Sequence, residues 1–276
     1  MDTVFVTTFD ASKHPWGINL INSLFSLTPQ NSKILALVEN SDVLQRERDI
    51  EPTDSRIEIL EFNEAVPNHR NFAAQLTEVV KLRAKDGFRW DVLRFSYKVF
   101  AIHYAFSNSD ANRIIWIDAD VFLHRTITEQ DLAKLLPEGC DIAYLGRDHL
   151  QQYDQYQSVL YPECGFMIFN QSSRTRAFLN KFVKIYTDNA FVELNEWHDS
   201  YIFHKLLNDA DFVDLKRFDI CSLGLVPTRD LSHVFVCSVL GGFMDHLKGG
   251  RKAVRQSPEM MDRINFYKMV RPNRVI

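Results

Sequence analysis

The chain has 276 residues, of which 46% are hydrophobic and 12% aromatic, so it can bury a large core as one sizeable domain or two small ones. No apolar run approaches the length of a membrane span, and the N-terminus has neither the basic nor the apolar region of a signal peptide, so we expect a cytoplasmic protein without a membrane span. The net charge is −4, and the four scattered cysteines, which form no CxxC pair and no zinc spacing, are interpreted as reduced thiols.

The first part of the chain alternates strands with helices. Short apolar runs at residues 4–9 and 32–39 predict buried strands, and an alternating run at 56–62 predicts a third, more exposed strand. A helix is predicted between the first two, at 17–27, ending before a Thr-Pro pair. Strands separated by helices imply right-handed βαβ units, so we expect an α/β fold with a mostly parallel sheet flanked by helices.

The end of the first predicted strand carries polar side chains. Ligands of open parallel sheets gather at the carboxyl ends of the strands. Thr7, Thr8 and Asp10 stand at this end of the first strand. They are therefore candidate ligand contacts.

Two helices are predicted next, at 71–84 and 90–106, and the second is apolar nearly all round, which is typical of a buried helix. Arg94 and Lys98 lie four residues apart on one face of it. Long cationic side chains on a buried helix can extend to the surface, and this reading has the same weight as a functional one. In the functional reading, one or both contact phosphates held by a metal.

The stretch 113–123 is the centre of the sequence. A short apolar run rich in β-branched residues predicts a strand buried on both faces, and it ends on Asp118 and Asp120. Alternate residues of a strand project to the same side, and two close carboxylates repel unless a cation or a proton lies between them. Mg²⁺ or Mn²⁺ fits because both prefer oxygen ligands. The alternative is that both residues cap a surface turn.

The later part of the chain continues the α/β pattern without internal repeats or linkers. The polar, Gln- and Tyr-rich segment 148–161 predicts a loop that is mobile or faces a substrate. The other predicted elements are a short helix from Thr128, strands at 141–145 and 164–170, and helices from Ser172 and at 196–207. We therefore interpret residues 1–245 as one domain and 246–276 as a basic C-terminal segment.

The segment 241–252 combines glycines, His246 and basic residues. Glycines allow backbone N–H groups to approach a phosphate, Lys and Arg neutralise it, and a neutral imidazole can bind a metal. Taken alone, this pattern is better explained as a flexible glycine loop with a surface histidine, and it becomes specific only together with Asp118 and Asp120. Residues 246–276 hold only two acidic residues, Glu259 and Asp262, against eight basic ones, and this excess of positive charge indicates an anionic partner or a solvated tail. The basic residues are Lys248, Arg251, Lys252, Arg255, Arg263, Lys268, Arg271 and Arg274.

Taken together, these motifs resemble those of a GT-A fold glycosyltransferase, most closely the retaining family that includes glycogenin and bacterial galactosyltransferases (family 8). Tyr97-Lys98 stands where that family has a Tyr-x-Arg pattern, residues 117–121 match its DxD element, and residues 246–252 match its distal His-x-x-Gly-x-x-Lys element by spacing. The order of the motifs agrees along most of the chain. Two departures are on the acceptor side, since the family's Asn-x-Gly reads Glu163-Cys164-Gly165 and its Asp-Gln-Asp region is represented by 197–199.

The resemblance implies transfer of a sugar, dependent on Mn²⁺ or Mg²⁺, from a nucleotide diphosphate sugar, with a UDP-sugar as the expected donor. It implies a metal site of Asp118, Asp120 and His246, with Asp118 contacting the metal or the ribose. Lys252 and the metal would neutralise the leaving diphosphate, and the C-terminal segment would close over it. The remaining implied contacts are Thr7, Thr8, Asp10, Arg94, Lys98 and Gly249 for the donor, and Asp199 and Glu163 for the sugar or the acceptor.

Retention in that family is ascribed to a front-face mechanism, in which an oxygen of the leaving diphosphate receives the acceptor proton, so no separate general base is expected. The acceptor is open among a glycan, a protein and DNA. Two alternatives to an enzyme remain: a noncatalytic module that binds metal or nucleotide, and a nucleic-acid-binding protein that uses the basic tail. An enzyme acting on modified DNA bases would combine both, with Arg255, Arg263 and Arg271 on the phosphates.

Overall fold

The computed structural model describes residues 3–39, 55–148, 161–225 and 234–247. In these ranges the strands are β1 (Thr3–Phe9), β2 (Lys33–Val38), β3 (Ile57–Glu61), β4 (Arg113–Ile117), β5 (Val121–Leu123), β6 (Ile142–Leu145), β7 (Glu163–Asn170), β8 (Arg217–Asp219) and β9 (Met244–His246). The α-helices are α1 (His14–Leu27), α2 (Phe62–Ala65), α3 (Pro67–Gln75), α4 (Glu78–Arg83), α5 (Val92–Ser107), α6 (Glu129–Leu135), α7 (Ser173–Thr187), α8 (Asp199–Leu207) and α9 (Val234–Cys237).

Seven strands form one sheet in the order β3-β2-β1-β4-β7-β6-β8. Strands β3, β2, β1 and β4 are parallel, β7 is antiparallel to both of its neighbours, and β8 is parallel to β6. The prediction of a mostly parallel sheet flanked by helices is confirmed. Because β7 runs against β4, its first residues lie beside the carboxyl end of β4.

The sheet has a hydrophobic core on each face. Successive side chains of a strand point to opposite faces, and in β1 Val4 and Val6 belong to the core under α3, α5, α7 and α8, whereas Phe5 and Phe9 belong to the core under α1, α6 and α9. The same division holds along β4 and β7. The result is three layers, with the central sheet buried on both faces.

Helix boundaries follow local capping. The single helix predicted at 71–84 is wrong, because the structure has two helices, α3 and α4, with Leu76 and Thr77 between them. The Thr77 hydroxyl accepts a hydrogen bond from Val80 N (3.4 Å), which caps a new helix instead of continuing the old one. The predicted buried helix is α5, whose start is capped by the Asp91 carboxylate accepting from Arg94 N (3.2 Å).

A small second sheet pairs two distant parts of the chain. Strand β5 follows the DxD element and pairs antiparallel with β9, with Val121 opposite His246. Leu247 N also donates to Asp120 O (3.0 Å). The domain boundary predicted between 245 and 246 therefore falls inside β9, and the basic segment from residue 248 onward lies outside the described ranges.

None of the helices in the described ranges has the length and apolar character needed to cross a bilayer.

One buried histidine makes the fold sensitive to pH. The His69 ring is fully buried among Phe62, Phe72, Tyr97 and other aromatic rings. The Ser96 hydroxyl donates to a backbone carbonyl, so it accepts from the Nε2–H of His69 (2.9 Å). Burial lowers the pKa of His69 from 6.5 to about 4, so the folded protein holds the ring neutral.

This histidine should contribute a pH-dependent part of the free energy of unfolding. Its contribution is complete above pH 6.5 and is lost as the pH falls from 6.5 toward 4, because the unfolded chain takes up the proton first. Between pH 7 and pH 5 the loss is about 2 kcal/mol. We expect urea unfolding of His69→Gln to lack this component, whereas His103→Gln, on the partly exposed side of α5, should keep it. If the free energy of unfolding depends on pH equally in the two variants, the assignment of this component to His69 is wrong.

Candidate functional site

The two carboxylates of the DxD element lie in a turn. Strand β4 ends at Ile117, and Val121 N donates to Asp118 O (3.0 Å), which closes a tight turn over 118–121. The prediction that strand alternation aligns Asp118 and Asp120 is therefore wrong, because both residues follow the strand. The turn is anchored where Asp118 N donates to Gly165 O (3.0 Å) on β7.

His246 brings an imidazole to both carboxylates. Its Nε2 lies 3.0 Å from Asp120 Oδ1 and 3.8 Å from Asp118 Oδ2. The ring is fully buried, with the Phe235 ring against it at 5.1 Å in an edge contact. Pairing of β9 with β5 fixes its backbone opposite Val121, so the distance from Asp120 is set by strand register.

Glu163 joins this group from the first position of β7. One ligand atom from each of Asp118, Glu163 and His246 lies within 4.8 Å of the others. The Glu163 side chain is 9% exposed and forms an ion pair with Arg147 Nη2 (3.3 Å). The site thus holds three carboxylates and one imidazole at the carboxyl end of β4.

The absence of a side chain at Gly165 makes this arrangement possible. A Cβ at Gly165 would lie 2.7 Å from His246 Cε1 and 3.2 Å from Glu163 Oε1. The main chain of β7 therefore forms a cradle for both groups. Carboxylate oxygens with one imidazole are a donor set suited to a divalent cation such as Mn²⁺ or Mg²⁺, and a cation relieves the repulsion among the carboxylates. The residues present fit the metal that the sequence predicted.

Lys98 is held inside this site by two acidic residues. Its ammonium lies 2.9 Å from Asp118 Oδ1 and 2.6 Å from Asp199 Oδ2, and it donates to Cys164 O (3.0 Å). Burial alone would lower the pKa of Lys98, but Asp118 and Asp199 together raise it well above its ordinary value. Its charge is thus engaged with protein carboxylates, which is a different contact from the predicted one with phosphates.

A second acidic group stands at the ends of β1 and β2. Asp10 Oδ1 accepts from Ser12 N (2.7 Å) and Lys13 N (3.0 Å); burial would raise the pKa of Asp10, but these bonds and the Ser12 hydroxyl hold it below its ordinary value. Glu39 follows β2, and its Oε1 lies 3.3 Å from Thr8 Oγ1. Burial, and then the Asp10 carboxylate, raise the pKa of Glu39 to about 7.

Thr7 is not brought together with Thr8 and Asp10. Its side chain is 1% exposed and points to the opposite face of β1, and its hydroxyl has no hydrogen-bond partner among the described residues. Arg94 is exposed on α5. Burial and the Asp10 carboxylate raise the pKa of Glu39, and the positive charge of Arg94 lowers it by a smaller amount. Gly249 and Lys252 lie outside the described ranges.

Asp199 is positioned by the start of α8. The imidazole of His198 caps this helix by accepting from Tyr201 N (3.4 Å), which leaves its Nε2–H to donate to Glu196 Oε2 (2.8 Å). Asp199, at the first position of the helix, is 3% exposed and pairs with Lys98. Lys98 therefore connects the candidate acceptor residue to the candidate metal site.

Sequence reasoning missed two members of the site, Glu39 and Arg147. Glu39 directly follows β2, so the rule that placed Asp10 at the ligand edge also applies to it. No sequence signal identified Arg147, because its contact with Glu163 depends on the antiparallel direction of β7.

Comparison with solved structures supports the fold assignment. The galactosyltransferase LgtC, in a complex with donor and acceptor sugar analogues, superposes with a TM-score of 0.57 at 11% identity, over 99% of this chain and 97% of LgtC. A structure of an LgtC active-site mutant gives a TM-score of 0.60 at 11% identity over the same shares. The chain therefore has the GT-A fold.

A third similar structure is the apo form of WbbM, a bifunctional glycosyltransferase, with a TM-score of 0.52 at 11% identity over 96% of this chain. The chain spans about half of the length of WbbM, at 51%. No protein family matches the sequence, and no curated protein matches it. At 11% identity, these similarities show a shared fold and nothing finer.

Replacing Gly165 by Ala tests the cradle. The added methyl group would press on His246 and Glu163, so we expect Mn²⁺ binding to weaken at least about 10-fold and the free energy of unfolding to fall by about 1–3 kcal/mol. Calorimetric titration and urea unfolding measure the two effects. Cys164→Ala is the control for disturbance of the same strand, and unchanged Mn²⁺ binding in Gly165→Ala would contradict the close approach.

Replacing Glu39 by Gln tests the group at the ends of β1 and β2. The Glu39 carboxyl has a pKa of 4.5 in the unfolded chain and of about 7 in the folded protein, so the folded protein holds its proton more tightly. The stability that this provides is complete below pH 4.5 and is lost as the pH rises through 7. A shift of this size corresponds to about 3 kcal/mol at most, and we expect about 2 because the group is partly exposed. Glu39→Gln should therefore be more stable than the wild type in urea at pH 8 and should lose this advantage at pH 5. Glu58→Gln, on the exposed side of β3, should show no such gain.

Proposed function

We propose that the protein is a glycosyltransferase that uses a divalent cation to transfer a sugar, with retention of configuration, from a nucleoside diphosphate sugar to an acceptor. UDP-sugars are the first donors to test. The observation that carries the proposal is the convergence of Asp118, Asp120 and His246 at the carboxyl end of β4 in a GT-A fold. Thr8 and Asp10 lie at the carboxyl end of β1, the strand next to β4.

The positions of the residues divide them into a group for the nucleotide-sugar donor and a group for the acceptor substrate. Thr8, Asp10 and Glu39 offer oxygen atoms to the nucleoside beside β1 and β2. Asp118, Asp120 and His246 would hold the cation, which supplies positive charge to the leaving diphosphate when it is bound. Gly249 and Lys252 are proposed to approach the same diphosphate from the segment that follows β9.

Asp199 and Lys98 act on the acceptor side. Asp199 lies at the N-terminus of α8, where the helix dipole favours a negative charge. Its ion pair with Lys98 fixes the carboxylate relative to Asp118, so a sugar hydroxyl bound by Asp199 has a defined position relative to the donor. Retention needs no separate base if a diphosphate oxygen takes the proton of the acceptor hydroxyl.

The acceptor is proposed from three classes: a glycan, a protein and DNA. Recognition of DNA would depend on the basic residues beyond 247, and no described residue favours that class over the others. A panel of the three acceptors, used once the donor is known, distinguishes them. Only a DNA acceptor should lose its product steeply with added salt.

The test of the proposal is release of nucleoside diphosphate from a panel of nucleotide sugars with and without Mn²⁺. We expect hydrolysis or transfer with at least one donor only when the metal is present. Asp120→Asn should reduce turnover by about 100-fold or more, because a ligand of the cation is lost. Asp110→Asn, in an exposed loop before β4, is the control and should retain wild-type turnover.

Binding of nucleotide sugars without turnover of any of them would show a noncatalytic binding protein. Wild-type turnover in Asp120→Asn would remove the proposed metal role of this residue.

A further inference from the structure

Glu163 is placed among the proposed metal ligands by the direction of its strand. It is the first residue of β7, which is antiparallel to β4, so its side chain lies beside the turn that carries Asp118. The distance of at most 4.8 Å among the ligand atoms of Asp118, Glu163 and His246 is compatible with one ion. Ligands on opposite sides of one Mg²⁺ are about 4 Å apart, since each bond is about 2.1 Å long.

The Glu163 carboxylate is oriented by two donors. Arg147 Nη2 lies 3.3 Å from Oε2, and Gly165 N donates to Oε1 (3.1 Å). Arg147 is itself fixed, because its Nε donates to Tyr161 O (2.8 Å). An ionised carboxylate has about four acceptor positions, so it can contact several partners at once. Neighbours that orient a carboxylate in this way are typical of metal ligands.

The local backbone also favours an ion at this place. Gly165 lacks the Cβ that would lie between Glu163 Oε1 and the His246 ring, so the two side chains share one space. The Oδ1 of Asp118 is engaged by Lys98 and by the indole of Trp116 (2.8 Å), which leaves Oδ2 on the side of His246. The carboxylates of Asp118 and Glu163 are close enough for a shared cation to relieve their repulsion.

We propose that Glu163 is a direct ligand of the metal, together with Asp118, Asp120 and His246, and that this ligand set binds the ion before the nucleotide arrives. The inference rests on the proposed function only in placing a cation at this end of β4. Mg²⁺ sites that depend on substrate phosphates usually use one or two carboxylates. A third carboxylate and an imidazole replace ligands that the phosphates would otherwise supply.

The ion-pair partners neutralise part of the charge of this site. Lys98 and Arg147 carry two positive charges against the carboxylates of Asp118, Asp120, Glu163 and Asp199, because Lys98 pairs with both Asp118 and Asp199. A divalent ion would therefore enter a site that the protein has already partly neutralised on its outer side.

The experiment is a Mn²⁺ titration of the full chain without nucleotide, followed by the loss of the electron paramagnetic resonance signal of free Mn²⁺. We expect one site in the wild type and affinity weaker by about 10- to 100-fold in Glu163→Gln. Glu196→Gln is the matched control, because Glu196 is also a buried carboxylate paired with an arginine, Arg89 (3.1 Å), but belongs to the His198 cap. It should bind Mn²⁺ as the wild type does.

Glu163→Asp is a second variant in case the glutamine variant does not fold. It keeps the charge and withdraws the carboxylate by one methylene, so it should weaken Mn²⁺ binding by a similar factor. Absence of Mn²⁺ binding by the nucleotide-free wild type would overturn the inference. So would wild-type affinity in the Glu163 variants together with its loss in Asp120→Asn and His246→Ala.

The Mn²⁺ titration tests the ligand role of Glu163 independently of whether the protein is a glycosyltransferase. Loss of Mn²⁺ binding in the Glu163 variants supports the ligand assignment even if no nucleotide sugar is turned over. Unchanged binding in those variants removes Glu163 from the metal site, and the metal-dependent turnover of the proposed function then stands on Asp118, Asp120 and His246.

Discussion

The repulsion among three carboxylates packed around one buried imidazole is the constraint on which the rest of the site depends. Asp118, Asp120 and Glu163 come from two different strand ends, and His246 stands between them with almost no access to water. Like charges at such distances are tolerated when cations lie among them. Lys98 and Arg147 supply two from the protein, and the proposed metal supplies the remainder.

Two antiparallel pairings in a mostly parallel fold produce this arrangement. Parallel strands bring Asp10, Glu39 and Asp118 to one edge by the general rule for α/β sheets. Reversal of β7 adds Glu163 from the start of a strand, and pairing of β5 with β9 adds His246. Asp10, Glu39 and Asp118 thus follow the common sheet topology, whereas Glu163 and His246 come from the exceptions.

Sequence reasoning recovered what local chemistry determines. Apolar runs identified the strands, the acidic pair after β4 indicated the candidate metal site, and the resemblance pointed to His246, which lies 3.0 Å from Asp120 across 126 positions of the chain. Sequence reasoning failed where tertiary contacts decide the outcome. The DxD carboxylates lie in a turn that follows the strand, and Thr7 is buried on the face of β1 opposite to Thr8. Periodicity carries no information on which neighbour a long side chain selects, and this is why Arg147 and the role of Gly165 were not predicted.

The pairing of β5 with β9 has a consequence for how the protein matures. The β5 residues are in the first half of the chain, but their partner strand is at 244–246, after the last strand of the large sheet, so a nascent chain can complete that sheet before the imidazole is in place. Such non-local contacts form late, since a long loop must close before they stabilise anything. In the proposed function, affinity for the ion would then report that synthesis and folding have reached β9, and a partly made chain would lack the imidazole of the metal site.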